Sequence, residues 1–201
     1  MSELAHWNER FSGPGYLFGT DPNAFLKSEA HRLRKGQTAL AIADGEGRNG
    51  VFLAEQGLAV HAVDFSPVAI AKARALADDR GVTVAIEQAD VLTWTWPTAQ
   101  FDVVIAIFVQ FATAAERPRF FAGLKQALKP GGLLLMQAYR PEQLRYATGG
   151  PKDVTQLYTR ALLEEAFADF ASLEIREHDS LLEEGSRHVG MSALIDMVGR
   201  K

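Results

Sequence analysis

The sequence predicts an α/β protein with a doubly wound sheet, in which mostly parallel strands carry helices on both faces. Short apolar segments alternate with helix-like segments along most of the chain. Residues 101–107 are almost continuously apolar, which is typical of a central strand covered on both faces. Near the carboxyl end, residues 183–187 alone separate two β-type segments, so this pair forms a hairpin and adds an antiparallel strand to the sheet.

The individual elements follow from the apolar periodicity and from residues that begin or end helices. Ser66 supplies an N-cap, Pro67 suits the first helical position, and Gly81 suits a left-handed C-terminal cap. The predicted elements are a helix over 23–34, a strand over 38–43, a helix over 48–57, a strand over 58–63, a helix over 67–80, strands over 82–87 and 101–107, a helix over 115–128, a strand over 133–138, a helix over 155–167 and β-type segments over 173–182 and 188–198.

Length and composition exclude several classes of protein. A chain of 201 residues with 47% hydrophobic residues fits one domain with a full core. The net charge of −4 comes from intermixed acids and bases, so no basic block is present for nucleic acid. The absence of cysteine excludes disulfides and thiolate ligands, and the five histidines lack metal-ligand spacing, so we expect no metal site. Without a leader-like start or a long apolar run, we expect a cytoplasmic protein that binds no membrane, and the oligomeric state stays open.

A glycine-rich turn after the first strand is the sharpest local signal. It runs Ala43-Asp44-Gly45-Glu46-Gly47-Arg48-Asn49-Gly50 and opens the next helix. Gly45 and Gly47 allow unusual backbone angles and let a ligand approach the unpaired N–H groups of the helix N-terminus. Together with Gly50 they also spell G-x-G-x-x-G, with Asp64 about 20 residues later, which is the fingerprint of a nicotinamide dinucleotide site. A plain tight turn is the structural alternative.

Two acidic residues at strand ends extend this candidate site. The carboxylate of Asp64, after the second strand, suits the two hydroxyls of a ribose, whichever adenosyl cofactor carries it. The carboxylate of Asp90 suits an adenine amino group, and Val91 offers its backbone beside it. The structural alternatives are a helix N-terminal acid for Asp64 and an ordinary loop acid for Asp90.

These segments together resemble the class I S-adenosylmethionine-dependent methyltransferases. Ala43-x-Gly45-x-Gly47, Val63-Asp-Phe-Ser66, Ala89-Asp90, Phe101-Asp-Val-Val104 and Leu128-Lys-Pro-Gly-Gly132 occur in that family's order and spacing, within residues 36–138. The resemblance implies a Rossmann-like seven-stranded sheet of order 3-2-1-4-5-7-6 with strand 7 antiparallel, and S-adenosylmethionine as the cofactor. The candidate cofactor-binding residues are Trp7, Ala43, Asp44, Gly45, Gly47, Arg48, Asn49, Asp64, Phe65, Ser66, Asp90, Val91 and Ile107.

The N-terminal segment looks like a small-molecule branch of that family, which contains tellurite-resistance and thiopurine methyltransferase-like proteins. Trp7-Asn-Glu-Arg10, Tyr16-Leu-Phe-Gly19 and Pro22-Asn23 carry this likeness. It implies one methyltransferase domain over 1–201, in which 1–35 form a lid and a helix and 36–201 form the Rossmann-like core. The lid proper spans 7–19 and is expected to be flexible; an aromatic strap packed on the core is the alternative.

Two positions depart from the family pattern. Ala41 stands where an acid is usual and Ala43 where the first glycine is usual, so cofactor binding is expected to be weaker unless Asp44 replaces the missing carboxylate.

The predicted function is transfer of a methyl group to a small-molecule acceptor, with an NAD(P)-dependent oxidoreductase or a non-catalytic S-adenosylmethionine-binding module as alternatives. Positioning of donor and acceptor provides much of the acceleration, so no catalytic triad is required. An aromatic wall at Phe108 or Phe111 is expected at the end of the fourth strand. A thiol, a metalloid oxyanion, a halide and a carboxylate all remain possible acceptors. The candidate residues on the acceptor side are Tyr16, Phe111, Arg140 and His188.

Overall fold

Seven strands form one sheet in the order β3-β2-β1-β4-β5-β7-β6, as the family resemblance implies. The computed structural model describes residues 2–146 and 148–201. The strands are β1 Thr38–Ile42, β2 Ala59–Asp64, β3 Val84–Gln88, β4 Phe101–Ile107, β5 Leu128–Tyr139, β6 Ser172–Glu184 and β7 His188–Arg200. The helices are α1 Glu3–Phe11, α2 Ala24–Ser28, α3 Arg48–Glu55, α4 Pro67–Asp79, α5 Arg117–Ala127 and α6 Arg160–Ala166, with 3-10 turns at Glu29–Arg32, Pro141–Arg145 and Val154–Gln156.

The strand directions create a crevice at one edge of the sheet. β1 pairs in parallel with both β2 and β4, so the chain order reverses beside β1. Strands β3 and β5 continue the parallel part on either side, whereas β7 runs antiparallel to both β5 and β6. In open α/β sheets, ligands bind outside the carboxyl ends of the strands at such a reversal. The fold therefore directs the search for a site to the loops after β1, β2, β3 and β4.

Helices cover both faces of the sheet, as the doubly wound prediction requires. The side chains of one face of β1 and β4 pack with α5, and those of the other face pack with α2 and α3. Leu40 and Val104 represent the first cluster, Ala39 and Val103 the second, and all four are fully buried. Burial on both faces explains why 101–107 is apolar almost throughout. No helix in the described part of the chain has the length and apolar character that a membrane span requires.

Two predicted helices are shorter than the sequence indicates. The helix expected over 23–34 is α2, which gives way to a 3-10 turn at Glu29; the Ser28 hydroxyl donates to the Phe25 carbonyl at 2.8 Å, a bond that competes with helix continuation. The helix expected over 155–167 begins at Arg160, because Thr159 is its N-cap and accepts from the Leu162 N–H at 3.2 Å.

The helix α1 was absent from the predicted elements. Ser2 caps it by accepting the Ala5 N–H at 3.2 Å, with Glu3 in its first turn and Arg10 in its last. Acidic residues near the N-terminus and basic residues near the C-terminus stabilise a helix, because they interact favourably with its dipole. Helix α1 lies against α4, above the carboxyl edge of the sheet.

Candidate functional site

The glycine-rich turn joins β1 to α3 with three residues in left-handed conformations. Ala43, Gly45 and Gly47 have φ values of 48°, 60° and 92°. A Cβ on Gly47 would lie 2.7 Å from the Cβ of Ala73 in α4, so glycine is required there for packing as well as for its backbone angle. Ala43 takes a conformation that costs an alanine roughly 1–2 kcal/mol, and such strain is concentrated at functional sites.

Asp64 links this turn to the start of α4. One carboxylate oxygen accepts the Gly45 N–H and the other accepts the Ser66 N–H, both at 2.8 Å. Burial raises the pKa of Asp64, while these backbone bonds favour the charged form. A carboxylate has about four acceptor positions, so each oxygen retains capacity for a further donor. The two carboxylate oxygens of Asp64 are therefore held in a fixed orientation beside the glycine-rich turn.

Asp44 lies beneath the glycine-rich turn and bonds to the backbone of α3. Both of its carboxylate oxygens lie 3.1 Å from the Gly50 nitrogen, and a Cβ on Gly50 would lie 2.4 Å from Oδ2. The third glycine of the G-x-G-x-x-G pattern thus makes room for Asp44 rather than for a ligand. Burial and the neighbouring Asp64 raise the pKa of Asp44 to about 7. Ala41 is fully buried in the apolar cluster beneath α2 and α3.

The ends of β3 and β4 complete this edge. The Ala89 N–H donates to the Asp64 carbonyl at 3.0 Å, which holds the loop after β3 beside the glycine-rich turn. Asp90 is exposed and accepts the Leu92 N–H at 2.9 Å, whereas Val91 is buried. Ile107, the last residue of β4, is also buried. The remaining predicted cofactor residues lie on the same loops, and their roles stay predictions; they are Arg48, Asn49, Phe65 and Ser66.

Helix α1 covers the glycine-rich turn. The Phe11 ring lies 3.6 Å from the point where a Cβ on Gly45 would be, and Trp7 stacks on Phe11 with ring centroids 5.3 Å apart. The hydroxyl of Ser66 donates to Asn8 at 2.6 Å, which ties α1 to the start of α4. Helix α1 therefore has the position that a lid over this edge requires.

The segment after α1, residues 13–19, is fastened to the core by two charged side chains. We call this segment the strap. Lys72 donates to the carbonyls of Gly13 and Gly15 at 2.9 and 2.6 Å and pairs with Glu46 at 2.8 Å. Glu46 is buried and also accepts the Leu17 N–H at 2.6 Å. The backbone of the strap is thus anchored to the glycine-rich turn through Glu46 and to α4 through Lys72, and the flexibility expected of the lid over 7–19 stays a prediction.

A cluster of four rings lies beside the glycine-rich turn; it consists of Phe18, Phe108, Tyr139 and His188, and we call it the ring cluster. His188 lies 4.4 Å from Phe18 and 4.5 Å from Phe108 between ring centroids, and Phe108 stacks on Tyr139 at 4.7 Å. Phe108 has a φ of 56°, a second strained residue at a strand end. The expected aromatic wall at the end of β4 is therefore Phe108.

An ion pair joins the ring cluster to the glycine-rich turn. Arg48, the first residue of α3, pairs with Glu184 at 2.6 Å, and the side chains are 8% and 9% exposed. The same carboxylate lies 3.5 Å from Nδ1 of His188. Burial opposes ionisation of Glu184, yet His188 and Arg48 bring its pKa down to about 2. The buried carboxylate of Glu184 thus connects the glycine-rich turn with the ring cluster.

The sequence analysis missed Glu184 and two amides that support it. The Asn23 side chain donates to Gln137 at 2.7 Å and to Glu184 at 2.9 Å, and Gln137 donates to Asp196 at 2.6 Å. A glutamine within the apolar run of β5 was a usable signal, because a polar side chain at a buried strand position needs partners. Glu184 carried no such signal, since it lies at the tip of a hairpin.

Three of the four acceptor-side candidates lie apart from the ring cluster. The Tyr16 hydroxyl donates to the Lys72 carbonyl at 3.3 Å on α4. Phe111 is 36% exposed and packs edge-to-face with Phe120 of α5. Arg140 forms ion pairs with Asp179 and Glu142. Of these candidates, the structure places only His188 in the ring cluster.

Two cavities open elsewhere on the molecule. One of about 430 Å³ lies at the amino ends of the strands, near Thr38 and Ala59, and one of about 300 Å³ lies between Trp94, Trp96 and α5. Neither adjoins the carboxyl edge, which α1 and the strap cover. The candidate site lies instead at the carboxyl edge of the sheet, where the strand ends and the buried polar groups converge.

The sheet order, the glycine-rich turn and the acid at the end of β2 agree with the fold that the resemblance to class I S-adenosylmethionine-dependent methyltransferases implies. Residues 39–132 match a family model described as a methyltransferase domain. This match covers just under half of the chain, and within it the chain is similar to methyltransferase domains.

A sequence relative and two solved structures agree with this class. The demethylmenaquinone methyltransferase of Thermus thermophilus is 34% identical over 104 residues, which cover 51% of this chain and 47% of the relative. The chain spans about half the length of the relatives it matches. A structure solved for the conversion of a disulfide bond into a thioacetal group during echinomycin biosynthesis has a TM-score of 0.73 at 22% identity, covering 98% of this chain and 89% of its own.

TehB from Haemophilus influenzae has a TM-score of 0.72 at 16% identity, covering 98% of this chain and 66% of its own. Such likenesses show the fold alone. The closer resemblance to the tellurite-resistance and thiopurine branch stays a prediction.

Proposed function

We propose that this protein transfers the methyl group of S-adenosylmethionine to a small-molecule acceptor held in the ring cluster. The observation that carries the proposal is the Arg48–Glu184 ion pair at 2.6 Å, which joins the glycine-rich turn to the ring cluster. A transferase needs its two binding sites side by side, because the reacting atoms have to approach to about 3–3.5 Å.

The cofactor half of the site uses the residues at the ends of β1, β2 and β3. Asp64 accepts the ribose hydroxyls, the glycine-rich turn lies alongside the cofactor, and Asp90 with Val91 flanks the adenine. When bound, S-adenosylmethionine supplies an electrophilic methyl group on a sulfonium. Trp7 and Phe11 of α1 close over this half and exclude water, which is the role expected of the lid over residues 7–19.

The acceptor half favours a small molecule. Phe18 of the strap, Phe108 after β4 and His188 at the start of β7 pack against one another and present aromatic surface next to the glycine-rich turn. Relatives from Thermus thermophilus and Deinococcus radiodurans are named demethylmenaquinone methyltransferases, and this too supports a small acceptor here. Acceleration comes mainly from holding the acceptor in line with the methyl group.

Isothermal titration with S-adenosylhomocysteine tests the cofactor half. The wild-type protein should bind it, and Asp64→Ala should weaken binding about 10- to 100-fold, because hydrogen bonds to a charged group are worth roughly 1.5–3 kcal/mol. Asp169→Ala is the matched control, since Asp169 pairs with Lys125 beside α5, on the other face of the sheet. Binding of NAD but not S-adenosylhomocysteine, or binding of neither, would overturn the proposal.

A further inference from the structure

A cavity of about 300 Å³ lies between the loop after β3 and helix α5, away from the carboxyl edge of the sheet. The indoles of Trp94 and Trp96 line one side of it, with ring centroids 5.3 Å apart and 61° between the ring planes. Two flat walls at this angle offer a planar ring both a stacked and an edge-to-face contact. The volume lies at the lower end of the range for ligand pockets, so it admits a small molecule of one or two rings.

Helix α5 lines the opposite side of the cavity. Arg119, Gly123 and Gln126 lie at positions i, i+4 and i+7, so they share one face of the helix. Glycine is a poor residue for a helix interior. It is required at position 123, because a Cβ there would lie 2.2 Å from the indole of Trp96. The helix therefore gives up intrinsic stability to hold Trp96 close beside the cavity.

The indole N–H of Trp96 is a donor without an acceptor among residues 2–146 and 148–201. Trp96 is only 7% exposed, and its Nε1 would lie 2.5 Å from a Cβ on Gly123, which lines the cavity. The indole N–H of Trp94, by contrast, donates to Glu87 at 2.8 Å. Because tryptophan N–H groups usually have a partner when buried, that of Trp96 is free to bind a ligand.

Arg119 gives the cavity a positive charge. It is exposed, and it forms no ion pair within the part of the chain that the structure describes. Glu116, three residues earlier, accepts the N–H and the hydroxyl of Thr113 at 3.0 and 2.7 Å. Among the described residues, none that lines the cavity is acidic. A guanidinium matches a planar carboxylate, which it binds through two parallel hydrogen bonds.

We propose that this cavity binds a small aromatic carboxylate. The ring lies against Trp94 and Trp96, and the carboxylate accepts hydrogen bonds from Arg119 and from the indole N–H of Trp96. This is a second ligand site, separate from the carboxyl edge of the sheet. The inference goes beyond the proposed function and does not rest on it.

Isothermal titration of the full chain with 2-naphthoate tests the proposal, because this probe joins two fused aromatic rings to a carboxylate that is ionised at pH 7. It should bind with 1:1 stoichiometry, and Arg119→Met should weaken binding about 10- to 100-fold through loss of charged hydrogen bonds. Arg74→Met is the matched control, since Arg74 is an exposed arginine on α4. Ala122→Leu should block the cavity without loss of thermal stability, because Ala122 is an exposed lining residue.

The three tryptophans of the chain report where the probe binds. In proton–nitrogen NMR spectra, the indole N–H signal of Trp96, identified by its absence in Trp96→Phe, should move on addition of 2-naphthoate. The signal of Trp7 in α1 should not move. Trp96→Phe keeps an aromatic wall but removes the donor, so it should weaken binding about 2- to 10-fold. The neutral 2-naphthamide should bind about 10-fold more weakly than 2-naphthoate, because it lacks the charge.

Several outcomes would overturn the inference. They are no binding of 2-naphthoate, undiminished binding to Arg119→Met or Ala122→Leu, and movement of the Trp7 signal in place of that of Trp96. Loss of binding when S-adenosylhomocysteine saturates the protein would also overturn it, because the probe would then occupy the carboxyl edge. Binding of 2-naphthoate with these properties by a protein that does not bind S-adenosylhomocysteine would support this site and overturn only the proposed function.

Discussion

The two halves of the candidate site are built in different ways. The cofactor half consists of backbone turns at the ends of adjacent parallel strands, and its hydrogen bonds run mainly from main-chain N–H groups to Asp44 and Asp64. The ring cluster consists of side chains from the strap, β4, β5 and the β6–β7 hairpin. The first half depends on local conformation and the second on tertiary packing, so substitutions in the two halves should have different consequences.

The Arg48–Glu184 ion pair connects the halves, and its loss should have the largest effect on stability. Arg48→Met leaves the Glu184 carboxylate buried without its cation, which should cost about 4 kcal/mol in the free energy of unfolding by urea. Arg32→Met is the control, because Arg32 pairs with Glu174, whose side chain is 61% exposed, and should cost under about 1 kcal/mol. Equal losses in the two variants would show that the pair does not couple the halves.

Within the cofactor half, backbone conformation should matter most at Gly47. An alanine there combines a left-handed φ of 92° with a Cβ only 2.7 Å from Ala73, so Gly47→Ala should cost about 3 kcal/mol. Gly13→Ala meets no atom within 4 Å and should be close to neutral in the same urea titration. A neutral Gly47→Ala would contradict the tight approach of α3 to α4.

The halves should also respond to pH with opposite signs. The pKa of Glu184 is depressed to about 2 in the folded protein, so its stabilisation of about 3 kcal/mol is present above pH 4.5 and is lost as pH falls toward 2. The pKa of Asp44 is raised to about 7, so its ionisation costs stability as pH rises from 4 to 7.

Thermal unfolding followed across pH measures this contrast. Glu184→Gln should remove the loss of stability in acid, and Asp44→Asn should remove the loss between pH 4 and 7 while keeping an acceptor for the Gly50 N–H. If either variant retains the wild-type dependence of thermal stability on pH, the pKa shift assigned to that carboxyl group is wrong.

The smallest expected effect concerns Ala43, where the family pattern has glycine. Ala43→Gly relieves the left-handed conformation, worth roughly 1–2 kcal/mol, but adds freedom to the unfolded chain, worth roughly 0.5–1 kcal/mol. The net gain should be about 0.5 kcal/mol in urea unfolding. A loss of stability would show that the Ala43 methyl group packs favourably.

The contrast between the halves also explains what the sequence could reveal. The glycine-rich turn and Asp64 lie at the ends of two successive strands, so the position of the turn followed from local patterns, while the sheet order followed from the family resemblance. Glu184 lies 136 residues from its partner Arg48, and only the register of the β6–β7 hairpin brings it there. No local pattern encodes such a contact.

The acceptor-side candidates illustrate the same limit. Tyr16, Phe111 and Arg140 have suitable chemistry, but each is engaged elsewhere, by Lys72, Phe120 and Asp179 respectively. Residue type alone does not give the direction of a side chain.

A crystal structure with S-adenosylhomocysteine tests most directly whether the two halves form one site. The ribose should lie on Asp64, and the sulfur should face Phe108 and His188 of the ring cluster. A sulfur directed away from Phe108 and His188, or a ribose bound elsewhere, would contradict the account.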